Sequence, residues 1–131
     1  MEIKALANFY KKYNNKRLAD AGSTVSKEYR LYQNAFVRLM KSVAAEIGGE
    51  VVKATKGHYY ESVFIKRDGK YIYVWHEEIN RTYIDCDSAS FLYYRKAETA
   101  NDYRGGTNNQ TALRTLTEKL NKLFDEYDSR G

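Results

Sequence analysis

The stretch VFIKRDGKYIYVW, residues 63–75, limits what this chain can fold into more than any other segment. Asp68-Gly69 lies between two runs of alternating character. A two-residue type I′ turn needs positive φ at both central positions, which Gly adopts freely and Asp tolerates, so the dipeptide predicts a tight hairpin. Such a turn fixes the register. Arg67 falls opposite Lys70, Lys66 opposite Tyr71, Phe64 opposite Tyr73, Ser62 opposite Trp75 and Tyr60 opposite Glu77. Side chains alternate across a pleat, so Val63, Ile65, Ile72 and Val74 share one face while Tyr60, Phe64, Tyr71, Tyr73 and Trp75 share the other.

Around the hairpin the hydrophobic period changes twice. Residues 26–47 carry Tyr29, Tyr32, Phe36, Leu39, Met40, Val43 and Ile47 at spacings of three and four, the stripe of a helix packed on one side, and Gly48-Gly49 supplies a left-handed stop. A weaker stripe over 2–19 predicts a helix before it. From Glu50 the period is two, and 50–55, 58–67, 70–77, 82–86 and 91–96 read as strands joined by short loops, hence an antiparallel meander. After Gly105-Gly106, Thr107 and Gln110 stand at capping-box spacing before a stripe of Leu113, Leu116, Leu120, Leu123, Phe124 and Tyr127. The expected architecture is a single α+β domain over 1–131. It has two layers: an antiparallel sheet of four to five strands, with two N-terminal helices and one C-terminal helix. Helices cover one face of such a sheet. The aliphatic face is their natural seat, which leaves the aromatic face outward or beneath the N-terminal segment. Exposed, it would be an interaction patch.

Composition narrows the chemistry. The first 57 residues hold 11 Lys and Arg against 5 Asp and Glu, and the remainder of the chain 11 against 12, so the whole excess of the +5 net charge is N-terminal. Lys11, Lys12, Lys16 and Arg17, with Lys66 on the aromatic face, form a candidate basic contact for an acidic protein surface or for nucleic acid. The competing reading is a solvated helix face. Thirteen tyrosines favour a binding surface, because tyrosine offers rigid contact area with a polar tip. The single cysteine, Cys86, lies between Asp85 and Asp87, whose charges work against a reactive thiolate. The opening residues lack the apolar run of a signal peptide, which implies a cytoplasmic protein.

Catalytic patterns are sparse. His76 falls across from Glu61, which reads as a cross-strand pair or as a His-carboxylate dyad, the latter without a nucleophile or oxyanion donor. Glu77, Glu78, Asp85 and Asp87 lack the spacing of a calcium loop. No phosphate-binding glycine motif, nucleophile elbow or zinc-protease motif occurs, so neither an enzyme, a metal nor a cofactor is expected. Gly105-Gly106 reads as an elbow before the last helix, with an anion-binding loop as the lesser alternative.

FLYYRKAETANDYRGGTNNQ, residues 91–110, resembles a motif of small phage and conjugative-element proteins of Gram-positive bacteria, in which an Arg-containing strand leads to D-Y-x-G-G-x-N. The matching positions are Arg95, Ala97, Glu98, Asp102, Tyr103, Gly105, Gly106 and Asn108. The preceding GHYYESVFIKRDGKYIYVWHEE resembles the hairpin that tends to precede that motif, and together they span 57–110. The resemblance implies an accessory protein of a mobile element acting in a bacterial cytoplasm. Proteins of that size and origin include anti-CRISPR proteins, which block a Cas effector by binding it. The resulting expectation is a non-enzymatic inhibitor that docks on a host nucleoprotein through Tyr60, Phe64, Tyr71, Tyr73 and Trp75. The alternative is a direct DNA- or RNA-binding protein in which the aromatic residues stack on bases and the basic residues hold phosphates.

Overall fold

The computed structural model describes residues 27–56, 61–76, 92–104 and 107–129. Along the chain these form helix α1 (Lys27–Glu46), strands β1 (Glu50–Lys56), β2 (Glu61–Arg67), β3 (Lys70–His76), β4 (Leu92–Ala97) and β5 (Asn109–Thr111), a 3-10 turn (Leu113–Thr115) and helix α2 (Leu116–Ser129). The five strands lie in sequence order in one antiparallel sheet. The expected helix over 2–19, the expected strand over 82–86 and the Gly105-Gly106 elbow fall outside the described residues. No described helix is long and apolar enough to cross a membrane.

The central hairpin has the register set by its turn. Asp68 and Gly69 both have positive φ, 51° and 80°, and the ladder runs from Arg67 opposite Lys70 to Glu61 opposite His76. Helix α1 ends where expected. Gly48 takes φ +79°, its N–H donates to the Ala45 carbonyl, and the Gly49 N–H donates to Ala44 at 2.8 Å, the paired bonds of a Schellman stop. Gly49 also sits so close to β2 that an added Cβ would lie 2.9 Å from the Lys66 carbonyl oxygen.

Both helices pack on the aliphatic face. Phe36, Leu39, Met40 and Val43 of α1 and Leu116, Leu120 and Phe124 of α2 form one core with Val63, Ile65, Ile72 and Val74, to which β4 adds Leu92 and Tyr94. Arg67, buried at the end of β2, ties the layers together. Its guanidinium donates to the Ile47 carbonyl at 3.3 Å, to Asn121 Oδ1 at 2.9 Å and to Asp125 Oδ1 at 2.9 Å, and lies 4.8 Å from the Phe124 ring centroid.

The start of the last helix corrects the sequence reading. Thr107 and Gln110 form no capping box: Gln110 lies in β5 opposite Tyr93, with Asn109 opposite Tyr94 and Thr111 opposite Leu92. The Asn109 amide donates to the carbonyls of Tyr94 and Thr107, and the Thr111 and Thr115 hydroxyls meet at 2.7 Å. The chain thus adds a fifth strand first. The helix begins only where the leucine stripe begins, and Ala112 at its 3-10 entry offers no side-chain cap.

Candidate functional site: the aromatic face of the sheet

The face turned away from the helices carries Phe64 and Lys66 from β2, Tyr71, Tyr73 and Trp75 from β3, Tyr93 and Arg95 from β4 and Lys53 from β1. Alternation puts the β2, β3 and β4 residues there, each in phase with a neighbour across the ladder, and the bulge between Val51 and Lys53 brings Lys53 opposite Phe64. Their rings form a continuous set. Phe64 and Tyr73 are 4.5 Å apart between centroids, Tyr73 and Trp75 stack at 5.0 Å and 21°, and Trp75 and Tyr93 stack at 5.2 Å and 18°. Near-parallel rings at that separation overlap face to face with an offset.

The segment 98–104 folds back over part of this face. Tyr103 stands edge-on to Phe64 and Tyr73, at 5.2 and 5.4 Å. Arg95 holds the segment from beneath: its Nη2 donates to the Asp102 carbonyl at 2.6 Å, its Nη1 to the Lys96 carbonyl at 3.1 Å, and the Asp102 carboxylate lies 3.7 Å away. The guanidinium is 2% exposed as a residue and sits over the Tyr73 and Trp75 rings. Asp102 in turn accepts from the backbone N–H groups of Glu98 and Arg104, which sets the turn. The Arg, Asp and Tyr of the motif noted in the sequence thus build one object, a clasp that seats Tyr103 on the aromatic cluster.

On the outer side Lys53 completes the clasp. Its ammonium donates to Asn101 Oδ1 at 2.6 Å and lies 5.0 Å from the Tyr103 ring centroid. Lys53, then Thr55, beside the Tyr103 phenol hold its pKa below the ordinary tyrosine value. At the far end the Tyr127 hydroxyl of α2 lies 3.2 Å from the carbonyl oxygens of both Tyr71 and Ala97, and burial pushes that phenol upward.

The candidate contact residues therefore separate by depth. Phe64 is 1% exposed and Tyr73 8%, so both serve as a second small core, with Ala97. Tyr71, Trp75 and Lys66 are half-buried, and the Lys66 ammonium lies 5.6 Å from the Tyr71 ring centroid. Tyr60, Lys11, Lys12, Lys16 and Arg17 lie outside the described residues, as do Cys86 and the acidic residues from Glu77 to Asp87. Glu61 and His76 are ladder partners, with Glu61 buried and the His76 side chain outside the described set. Among the described residues no group of three or more His, Cys, Asp or Glu could hold a metal ion. Tyr93 and Arg95 were not among the candidate contacts. Continuing the period of two from β3 into β4 is the signal that finds them. No family model, curated protein or solved structure matches this chain.

Proposed function

We propose that this chain is a non-catalytic accessory protein of a mobile genetic element that docks on a host nucleoprotein in the bacterial cytoplasm, such as a Cas effector, and inhibits it. The contact is made through the half-buried part of the aromatic face. One observation carries the choice of a protein over a nucleic-acid contact: the rings stack on one another. Base binding needs an open ring face as a platform. Here Tyr73, Trp75 and Tyr93 overlap, with Arg95 over two of them, so these rings cover one another's faces. Rigid aromatic edges in a polar surround suit a protein interface.

The test is affinity capture by the full tagged chain from a bacterial lysate, with and without nuclease, followed by the same capture with Trp75→Ala and Tyr93→Ala. A partner protein retained after nuclease, and held more than about tenfold more weakly by these variants, is the expected result. Loss of every partner on nuclease treatment would favour direct DNA or RNA binding instead.

A further inference from the structure

We infer that the partner is met at the β1 margin, formed by Arg30, Lys53, Lys56 and Tyr103, and that it brings protein carboxylates to this margin. The inference rests on the docking reading above and adds a second part of the contact, beside the aromatic face, and the chemistry it matches. β1 is an outer strand of the sheet, so its side chains border solvent on both faces. The large hydrophobic residues most exposed among those described are found here: Val52, 39% exposed at the β1 bulge, and Tyr103, 43% exposed and capped by the neighbouring Lys53.

The cations of this margin differ from the two buried arginines in their partners. Arg67 and Arg95 reach carboxylates, Asp125 and Asp102. Arg30 Nη1 instead donates to Gln33 Oε1 at 2.8 Å and to the Lys56 carbonyl at 3.1 Å; Lys56 Nζ donates to Asn34 Oδ1 at 2.8 Å, and Lys53 Nζ to Asn101 Oδ1. Neutral oxygens orient a cation without cancelling its charge. Glu61, the carboxylate across the ladder from Lys56, is buried on the helix side, and the Lys56 ammonium turns to Asn34. The margin therefore presents positive charge on side chains already held in place, which lowers the entropy lost when a partner fixes them. Carboxylate fits better than a stacked nucleotide at Tyr103. Lys53 lies over its ring, and the ring stands perpendicular to Phe64 and Tyr73, so it is a wedge rather than a platform.

The experiment measures binding of the whole protein to fluorescent poly-L-glutamate and to mixed-sequence single- and double-stranded oligonucleotides of matched charge. Wild type is compared with the triple variant Arg30→Glu, Lys53→Glu, Lys56→Glu, and with a charge-matched control, Arg114→Glu, Lys119→Glu, Lys122→Glu. The expected result is tighter binding of polyglutamate than of either oligonucleotide. The margin triple should weaken it about tenfold, the sum of three exposed ion pairs, and the control by less than about twofold. Tyr103→Ala should weaken it further while Tyr103→Phe does not. Should the triple variant melt early, the single Lys53→Gln, Lys56→Gln and Arg30→Gln variants, each expected to lose about twofold, replace it. Equal loss in margin and control variants, or tighter binding of an oligonucleotide, would overturn the inference. A nuclease-resistant partner that still holds the margin triple would overturn it too, while leaving the docking reading intact. Absence of any nuclease-resistant partner would overturn that reading itself.

Discussion

Tyr103 and Phe64 show how aromatic residues in one patch can do two jobs. Phe64 lies under Tyr103 and against Tyr73, so Phe64→Ala should cost about 3–5 kcal/mol of stability, read from the denaturant midpoint. Trp75→Ala, at a half-buried site, should cost clearly less. Comparable losses would mean that Trp75 belongs to the core. Tyr103 has its own signature in alkaline titration. The ammonium of Lys53 and the hydroxyl of Thr55 favour its phenolate, so it should ionise below 10.0, and Tyr103→Phe should remove a part of the tyrosinate absorbance change below that value. Lys53→Gln should move that part upward without abolishing it.

Arg67 and Gly48 carry the junctions between elements. Arg67→Met keeps the apolar stem but drops three hydrogen bonds joining β2, the end of α1 and α2. It should lower stability by about 2 kcal/mol, less than a fully buried pair would give because Asp125 is largely exposed. Gly48→Ala forces a side chain into the left-handed region and should cost about 1 kcal/mol, whereas Thr107→Ala should leave thermal stability unchanged because no cap exists to lose. These elements also mark what the sequence could say. The turn at Asp68-Gly69, the register it imposes and the stop at Gly48 were legible because each rests on local backbone sterics. So was the α1 stripe, which depends on period alone. β5 was not, because Thr, Asn and Gln suit a helix cap and a short strand equally, and the pairing with β4 is decided by contacts across the sheet. Nor was the division of the aromatic face into core and surface. It depends on Arg95 and Asp102 folding 98–104 back over Phe64 and Tyr73, which alternation cannot reveal.

At the scale of the whole molecule, two layers meet through tyrosines whose ionisation would break the join. Burial, with Glu126 near Tyr94, raises the pKa of Tyr94, and burial raises that of Tyr127, so both bind their protons more tightly folded than unfolded. The stability they contribute is complete below the unfolded value of 10.0 and is lost as pH rises through their folded values. Tyr103 works in the opposite sense, but it is more exposed and should not offset them. The melting temperature should therefore fall above pH 10.0, and the double variant Tyr94→Phe, Tyr127→Phe should flatten that fall. The strand order has a last consequence, for solubility. Among the described residues, a sheet this rich in aromatic side chains has β1 and β5 as its border strands, along which another copy could hydrogen-bond, and each is spoiled: β5 is three residues long, and β1 is kinked by the bulge at Val52 and studded with Lys53 and Lys56. Deleting Val52 would straighten that border and bring its residues into continuous register. The deletion should make the chain seed fibrils more readily than the parent sequence, visible as thioflavin fluorescence rising with concentration.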